Sequence, residues 1–151
     1  MKKLTAIILT ICVVISGLTV FASNTQIIID GKPATIAEGM GSVVEKDNRT
    51  FVPVRFLLEY FAFNVDWDDE TQTVLGVNKD GDSFLTQIGN KTLFYFADNG
   101  QKKDTIEMDV APFLNNKEAR TYVPLRFIAE AIGYDVGWDG ETETVTITKK
   151  L

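Results

Sequence analysis

Two periods alternate along this chain. Between Gln26 and Thr148, stretches in which every second residue is apolar give way twice to stretches in which apolar residues recur every three or four positions. The first pattern is that of a half-buried strand and the second that of an amphipathic helix. Arg120 to Val123 alternates and then meets Pro124, whose missing N–H suits a first helical position. From there Val123, Phe127, Ile128, Ala131 and Ile132 fall on one helical face, and Gly133 can end the helix in a left-handed conformation. The period then returns to two. Tyr134, Val136 and Trp138 share one face of a strand, Asp135, Gly137 and Asp139 share the other, and Gly140-Glu141-Thr142 turns the chain into a second hairpin strand.

The same succession occurs 71 positions earlier. Arg49 to Val74 aligns with Arg120 to Val145 with 14 of 26 positions identical, a density that marks an internal duplication. The earlier helical stripe is Val52, Phe56, Leu57, Tyr60 and Phe61, and the earlier strand sets Phe63, Val65 and Trp67 against Asn64, Asp66 and Asp68. Ala62 stands where the later copy has Gly133, which weakens the first helix's stop signal. The alternation directs Trp67 and Trp138 inward, onto the helices.

Flanking segments extend the duplication. Gln26–Ile29, Asp30-Gly31-Lys32-Pro33 and Ala34-Thr35-Ile36 read as a hairpin; residues 37–42 form a loop, and Lys46-Asp47-Asn48 turns into the first copy. Ser83–Ile88 and Thr92–Phe96 form the corresponding hairpin of the second unit, and the polar turn 78–82 is taken as the seam. The repeats therefore span about 26–77 and 83–148. The second is longer by about 13 residues, which surface loops accommodate best. Residues 98–104 are the obvious place, with Thr105–Val110 returning as a strand. The predicted fold class is α+β: mostly antiparallel β with two short helices, in internally duplicated strand-strand-helix-hairpin units.

The amino terminus changes the picture of where this fold works. Met1-Lys2-Lys3, the apolar run Leu4–Phe21 and the small residues of Val20-Phe21-Ala22 have the form of a secretory signal, cleaved after Ala22. The run is near the lower end of spanning length, roughly 17–25 residues, but its cleavage pattern favours removal over anchoring. No stable membrane span is then expected. Cys12 lacks the small residue that precedes a lipid-modified cysteine, so the chain does not read as a lipoprotein. The expected mature domain, 23–151, contains neither cysteine nor histidine. Disulfides, thiolate or imidazole metal sites and Ser/His or Cys/His catalysis are thereby excluded from it. Losing Lys2 and Lys3 moves the net charge from −6 to −8. An acidic surface without a basic cluster argues against nucleic acid.

The motif Arg-Thr-Phe/Tyr-Val-Pro-Val/Leu-Arg-Phe, a helix, and then Val-x-Trp-Asp-x-Glu-Thr-x-Thr-Val resembles the copper amine oxidase N-terminal-like domain, or stalk domain, of secreted bacterial proteins. The resemblance covers nearly all of residues 26–148. It implies an antiparallel sheet wrapped on helices in an exported, non-catalytic module, with no cofactor and no copper, since the catalytic domain of that enzyme family has no counterpart here.

The recurring charged and aromatic residues have bland readings. Arg55 and Arg126 sit near helix N-termini, where the dipole disfavours a cation, so each needs a partner. Glu59 and Glu130, four residues on, supply one, and each arginine is expected to hold its hairpin to its helix. Arg49 and Arg120 are expected to be exposed. Trp67 and Trp138 are expected in the core rather than as platforms for sugar rings. Asp66, Asp68, Asp69, Glu70, Asp80 and Asp82 lack EF-hand spacing and read as solvated turns. The sequence thus assigns no catalytic, cofactor or metal residue. Its repeat motif, Arg55, Glu59, Trp67, Arg126, Glu130 and Trp138, is structural. Function reads as binding or spacing at the bacterial envelope, with an extracellular protein or glycan as partner; a small secreted hydrolase using acidic residues is the alternative.

Overall fold

Turn chemistry sets the hairpins. A computed structural model describes residues 24–151; the expected signal segment 1–22 lies outside them. Strands β1 (Gln26–Ile29) and β2 (Lys32–Pro33) are joined by Asp30-Gly31, and β3 (Val44–Lys46) and β4 (Arg49–Pro53) by Asp47-Asn48. All four turn residues have positive φ, between 48° and 76°, the two-residue geometry whose twist matches that of the strands. The tight first turn draws Lys32 and Pro33, expected in the turn, into β2, and residues 34–36, expected as the returning strand, lie outside any strand. Helix α1 (Val54–Tyr60) and the hairpin β5 (Phe63–Asp68) and β6 (Thr73–Asn78) complete the first unit. The second runs β7 (Ser83–Gln87), β8 (Thr92–Ala97), β9 (Lys102–Glu107), β10 (Phe113–Asn115), β11 (Arg120–Pro124), α2 (Leu125–Ala131), β12 (Tyr134–Asp139) and β13 (Thr144–Lys149). The α+β class, mostly antiparallel with two short helices, is as the sequence predicts.

The extra residues of the second unit do more than lengthen a loop. Residues 102–104 belong to β9, a strand that pairs along all of β8, and the tip narrows to residues 98–101. The expected strand over 105–110 therefore starts earlier and ends at Glu107. It has no counterpart in the first unit.

A central sheet of order β10-β11-β4-β3 relates the repeats. Val52 pairs with Val123, its own equivalent, while Phe51 pairs with Pro124 and Pro53 with Tyr122. A local two-fold axis therefore passes between two fully buried valines. On either side lies an outer sheet, β5-β6-β7-β8-β9 or β12-β13-β1-β2. In each, the closing hairpin of one repeat pairs with the opening hairpin of the other. The turn 78–82, where one repeat gives way to the next, connects adjacent antiparallel strands within one sheet, so the repeats interlock across it. The exchange is not fully symmetric: β1 runs parallel to β13, whereas β7 runs antiparallel to β6.

Each helix lies one position away from its expected register. Pro53 and Pro124 are extended N-caps and not first helical residues. The fully covered faces become Val54, Leu57 and Leu58 in α1 and Leu125, Ile128 and Ala129 in α2. Phe56, Phe61, Phe127, Ala131 and Ile132 pack at the margin, Tyr60 is 43% exposed, and Val52 and Val123 belong to the central sheet. These faces, with Ile27, Ile29, Phe63, Val74, Phe84, Leu93, Val145 and Ile147, form one continuous core across both repeats. Tyr122 extends the union. Buried between stacked Phe113 (5.3 Å) and the loop 37–42, its hydroxyl donates to Glu118 and accepts from the Ser42 N–H (3.2 Å).

Both helices end alike despite different residues. Gly133 has φ +91° and Ala62 has φ +60°, although a left-handed conformation costs a residue with a Cβ about 1–2 kcal/mol. Open space surrounds the position a Gly133 Cβ would take, so the difference is one of backbone alone. Ala62→Gly should raise, and Gly133→Ala lower, the unfolding free energy by about 1 kcal/mol each. Denaturant melts of the two variants check this; effects of the same sign would contradict it.

Candidate functional site

Exchange of hairpins creates two clefts related by the local two-fold. One, of about 510 Å³, has Pro124, Leu125, Arg126, Val136, Trp138 and Val145 from the second repeat on one wall and Glu45, Asn48, Arg49 and Thr50 from the first on the other. Its counterpart, of about 530 Å³, has the equivalent Pro53, Val54, Arg55, Val65, Trp67 and Val74 facing Leu114, Ala119, Arg120 and Thr121, with Met40 from the intervening loop. Each volume is within the range of roughly 300–1,000 Å³ usual for ligand sites. Each of these two clefts thus receives one tryptophan and two arginines, with residues of both repeats in its walls.

The arginines are tied down. Arg126 donates to the carbonyl of Val136 (2.8 Å) and approaches Glu130 at 3.4 Å, so it holds helix to hairpin as expected. Arg55 approaches Glu59 at 4.0 Å. Such exposed i, i+4 pairs stabilise a helix by about 0.3–0.5 kcal/mol, so their role is orientation more than stability. Arg49 and Arg120, expected on the open surface, are instead half-buried. Arg49 pairs with Asp109 and donates to the Asn48 carbonyl (2.8 Å), while Arg120 reaches across the axis to the carbonyl of Gly39.

Trp67 and Trp138 diverge from the expectation and from each other. Trp67 is half-buried against the core, and its indole N–H donates to Asp69 (3.3 Å). Trp138 is 49% exposed. It stays on the face of Tyr134 and Val136, but cover runs out along β12: both of those residues are half-buried and Trp138 is open. The wall opposite differs too. Where Leu114 lines the first repeat's tryptophan cleft, the register position in the other is held by Glu45, which accepts from Thr50 (2.8 Å). Asp66 and Asp69 are replaced by Gly137 and Gly140. Core placement therefore fails for Trp138 and holds in part for Trp67.

The acidic turns are occupied by their own backbone. Asp68 accepts from the Thr71 N–H (2.9 Å), and its equivalent Asp139 accepts from the Glu141 and Thr142 N–H groups (2.9 and 3.2 Å). Those bonds hold both carboxyls below the usual carboxylate range, the Thr71 bond leading for Asp68 and the Thr142 bond for Asp139. A general acid needs the opposite shift. Asp80 and Asp82 likewise close the turn 78–82 with Asn78: both N–H groups donate to the Asn78 side chain (3.0 and 2.9 Å).

Copper does not fit these residues. Residues 24–151 contain neither imidazole nor thiolate, the ligands that suit its softness and geometry, and no cluster of three acidic side chains among the described residues is placed to hold a metal ion. No described helix is long and apolar enough to cross a membrane. Residues 28–147 match the family model described as the copper amine oxidase N-terminal domain, a module that is non-catalytic in its family. Comparison with curated proteins and with solved structures returned no match.

Proposed function

The chain belongs to the copper amine oxidase N-terminal domain family, and from that premise we propose that it is an exported, non-catalytic module that binds or spaces other molecules at the bacterial cell envelope. The observation that carries the reading is the pair of clefts built across the repeat axis. They are the concave surfaces in which the duplicated Arg, Trp and Pro residues converge, and their arginines are engaged by carboxylates or backbone carbonyls. Such an arrangement presents a fixed surface for contact. The signal-like start, 1–22, supports a location outside the cytoplasm.

Immobilised full chain, incubated with cell-wall and culture fractions, should enrich envelope material over an unrelated acidic protein of similar size. Equal recovery on both would overturn binding at the envelope. N-terminal sequencing of the secreted form should begin at Ser23, and a retained Met1–Ala22 segment would overturn cleavage.

A further inference from the structure

We propose that the Trp138 cleft holds a neutral sugar ring of an envelope glycan, stacked on the indole. This rests on the module reading above and names the ligand class for one of its two clefts. The duplication supplies an internal comparison, because the same motif was inherited at both sites and only one tryptophan is open. Trp67 has its N–H tied to Asp69 and its ring half-buried. At Trp138 the equivalents of Asp66 and Asp69 are glycines, and the indole is 49% exposed at the mouth of a cleft of about 510 Å³. A large, rigid aromatic surface left partly in water is costly for a core residue and useful for a contact one.

The chemistry of the opposite wall chooses the ligand. Glu45 and Thr50, hydrogen-bonded to each other (2.8 Å), and Asn48 put a polar rim at its edge, the complement of a ring whose hydroxyls radiate from an apolar C–H face. The cations there do not call for an anion: Arg49 is neutralised by Asp109, and Arg126 is held by Glu130 and the Val136 carbonyl. The chain as a whole carries −6, which repels acidic polymers at long range. A neutral polyhydroxylated ring satisfies the aromatic face and the polar rim together.

The chain has two tryptophans, so Trp67→Phe leaves Trp138 as the only indole reporter. Titrating that full-chain variant with N-acetylglucosamine tetramer and with glucose tetramer should give a saturable change in Trp138 emission with at least one of them. By calorimetry, Trp138→Ala should weaken that binding by about tenfold or more, the scale of one aromatic contact, and Trp138→Phe by less. Unchanged emission with both tetramers, or undiminished binding by Trp138→Ala, would overturn the proposal. If the chain enriches envelope material while neither tetramer binds, the module reading stands and the glycan assignment falls. Loss of fold is excluded by showing that Trp138→Ala melts cooperatively.

Discussion

Cut within the turn 78–82, the chain is expected to yield two halves, 24–80 and 81–151, that do not fold separately. The first half would keep β5 and β6 but lose β7, which pairs with β6 along its length, and would lose β11 from β4. The second would lose β1 from β13 and the β4 strand on which α2 and β11 rest. Val52 and Val123, each fully buried on the other, would both meet water. Loop 37–42 would also lose the Arg120 and Tyr122 contacts that fix it. A body of some 60 residues buries only about 60% of its unfolded surface even when its fold is complete, so neither half has stability to spare. Circular dichroism should show no cooperative melt for either half, and mixing the two should restore one. A cooperative transition in a half alone would show that the exchanged hairpins are dispensable.

That expectation rests on pairings between distant segments, and they mark the limit of what sequence patterning can report. Period and turn residues are local. They locate the two helices, hairpins turning within 30–33 and 46–48, and the strand faces of Phe63-Val65-Trp67 and Tyr134-Val136-Trp138, because each follows from residues within a few positions. Which hairpin pairs with which is a property of distant segments, and β1 beside β13 leaves no trace in either strand's alternation. The exposure of Trp138 has the same origin: alternation names the face, whereas the residue opposite it in the cleft, Glu45, lies 93 positions away. The helix stripe moved because the chain stays extended through Pro53 and Pro124, carrying Val52 and Val123 into the central sheet. Of the cleft residues, Arg55, Arg126 and the tryptophans were visible as repeated features. Arg49 and Arg120 recur just as faithfully, and their recurrence was the available signal that they do more than face solvent.

Phe84→Ala should cost about 3–5 kcal/mol, as for other buried aromatic truncations, and Gly76→Ala about 1–3 kcal/mol from overpacking. The two residues are cross-strand partners. A Cβ built on Gly76 would lie 2.4 Å from Phe84 Cε1, and Phe84 is 1% exposed with its ring also edge-on to Phe63 at 5.9 Å, so it cannot swing away. The duplication shows how else the space can be filled. The equivalent of Gly76 is Ile147, which is fully buried and pairs with Ile29 in the other outer sheet. One sheet divides its core volume as isoleucine against isoleucine, and the other as phenylalanine over glycine. Glycine inside a strand otherwise weakens it, and here the ring laid across it restores the lost contact. The pair should therefore be coupled, with the new methyl in Gly76→Ala occupying space that Phe84→Ala vacates. In a double-mutant cycle by chemical denaturation, the combined variant should be more stable than the sum of the single losses by about 0.5–3 kcal/mol. Strict additivity would mean that Phe84 is not seated on Gly76.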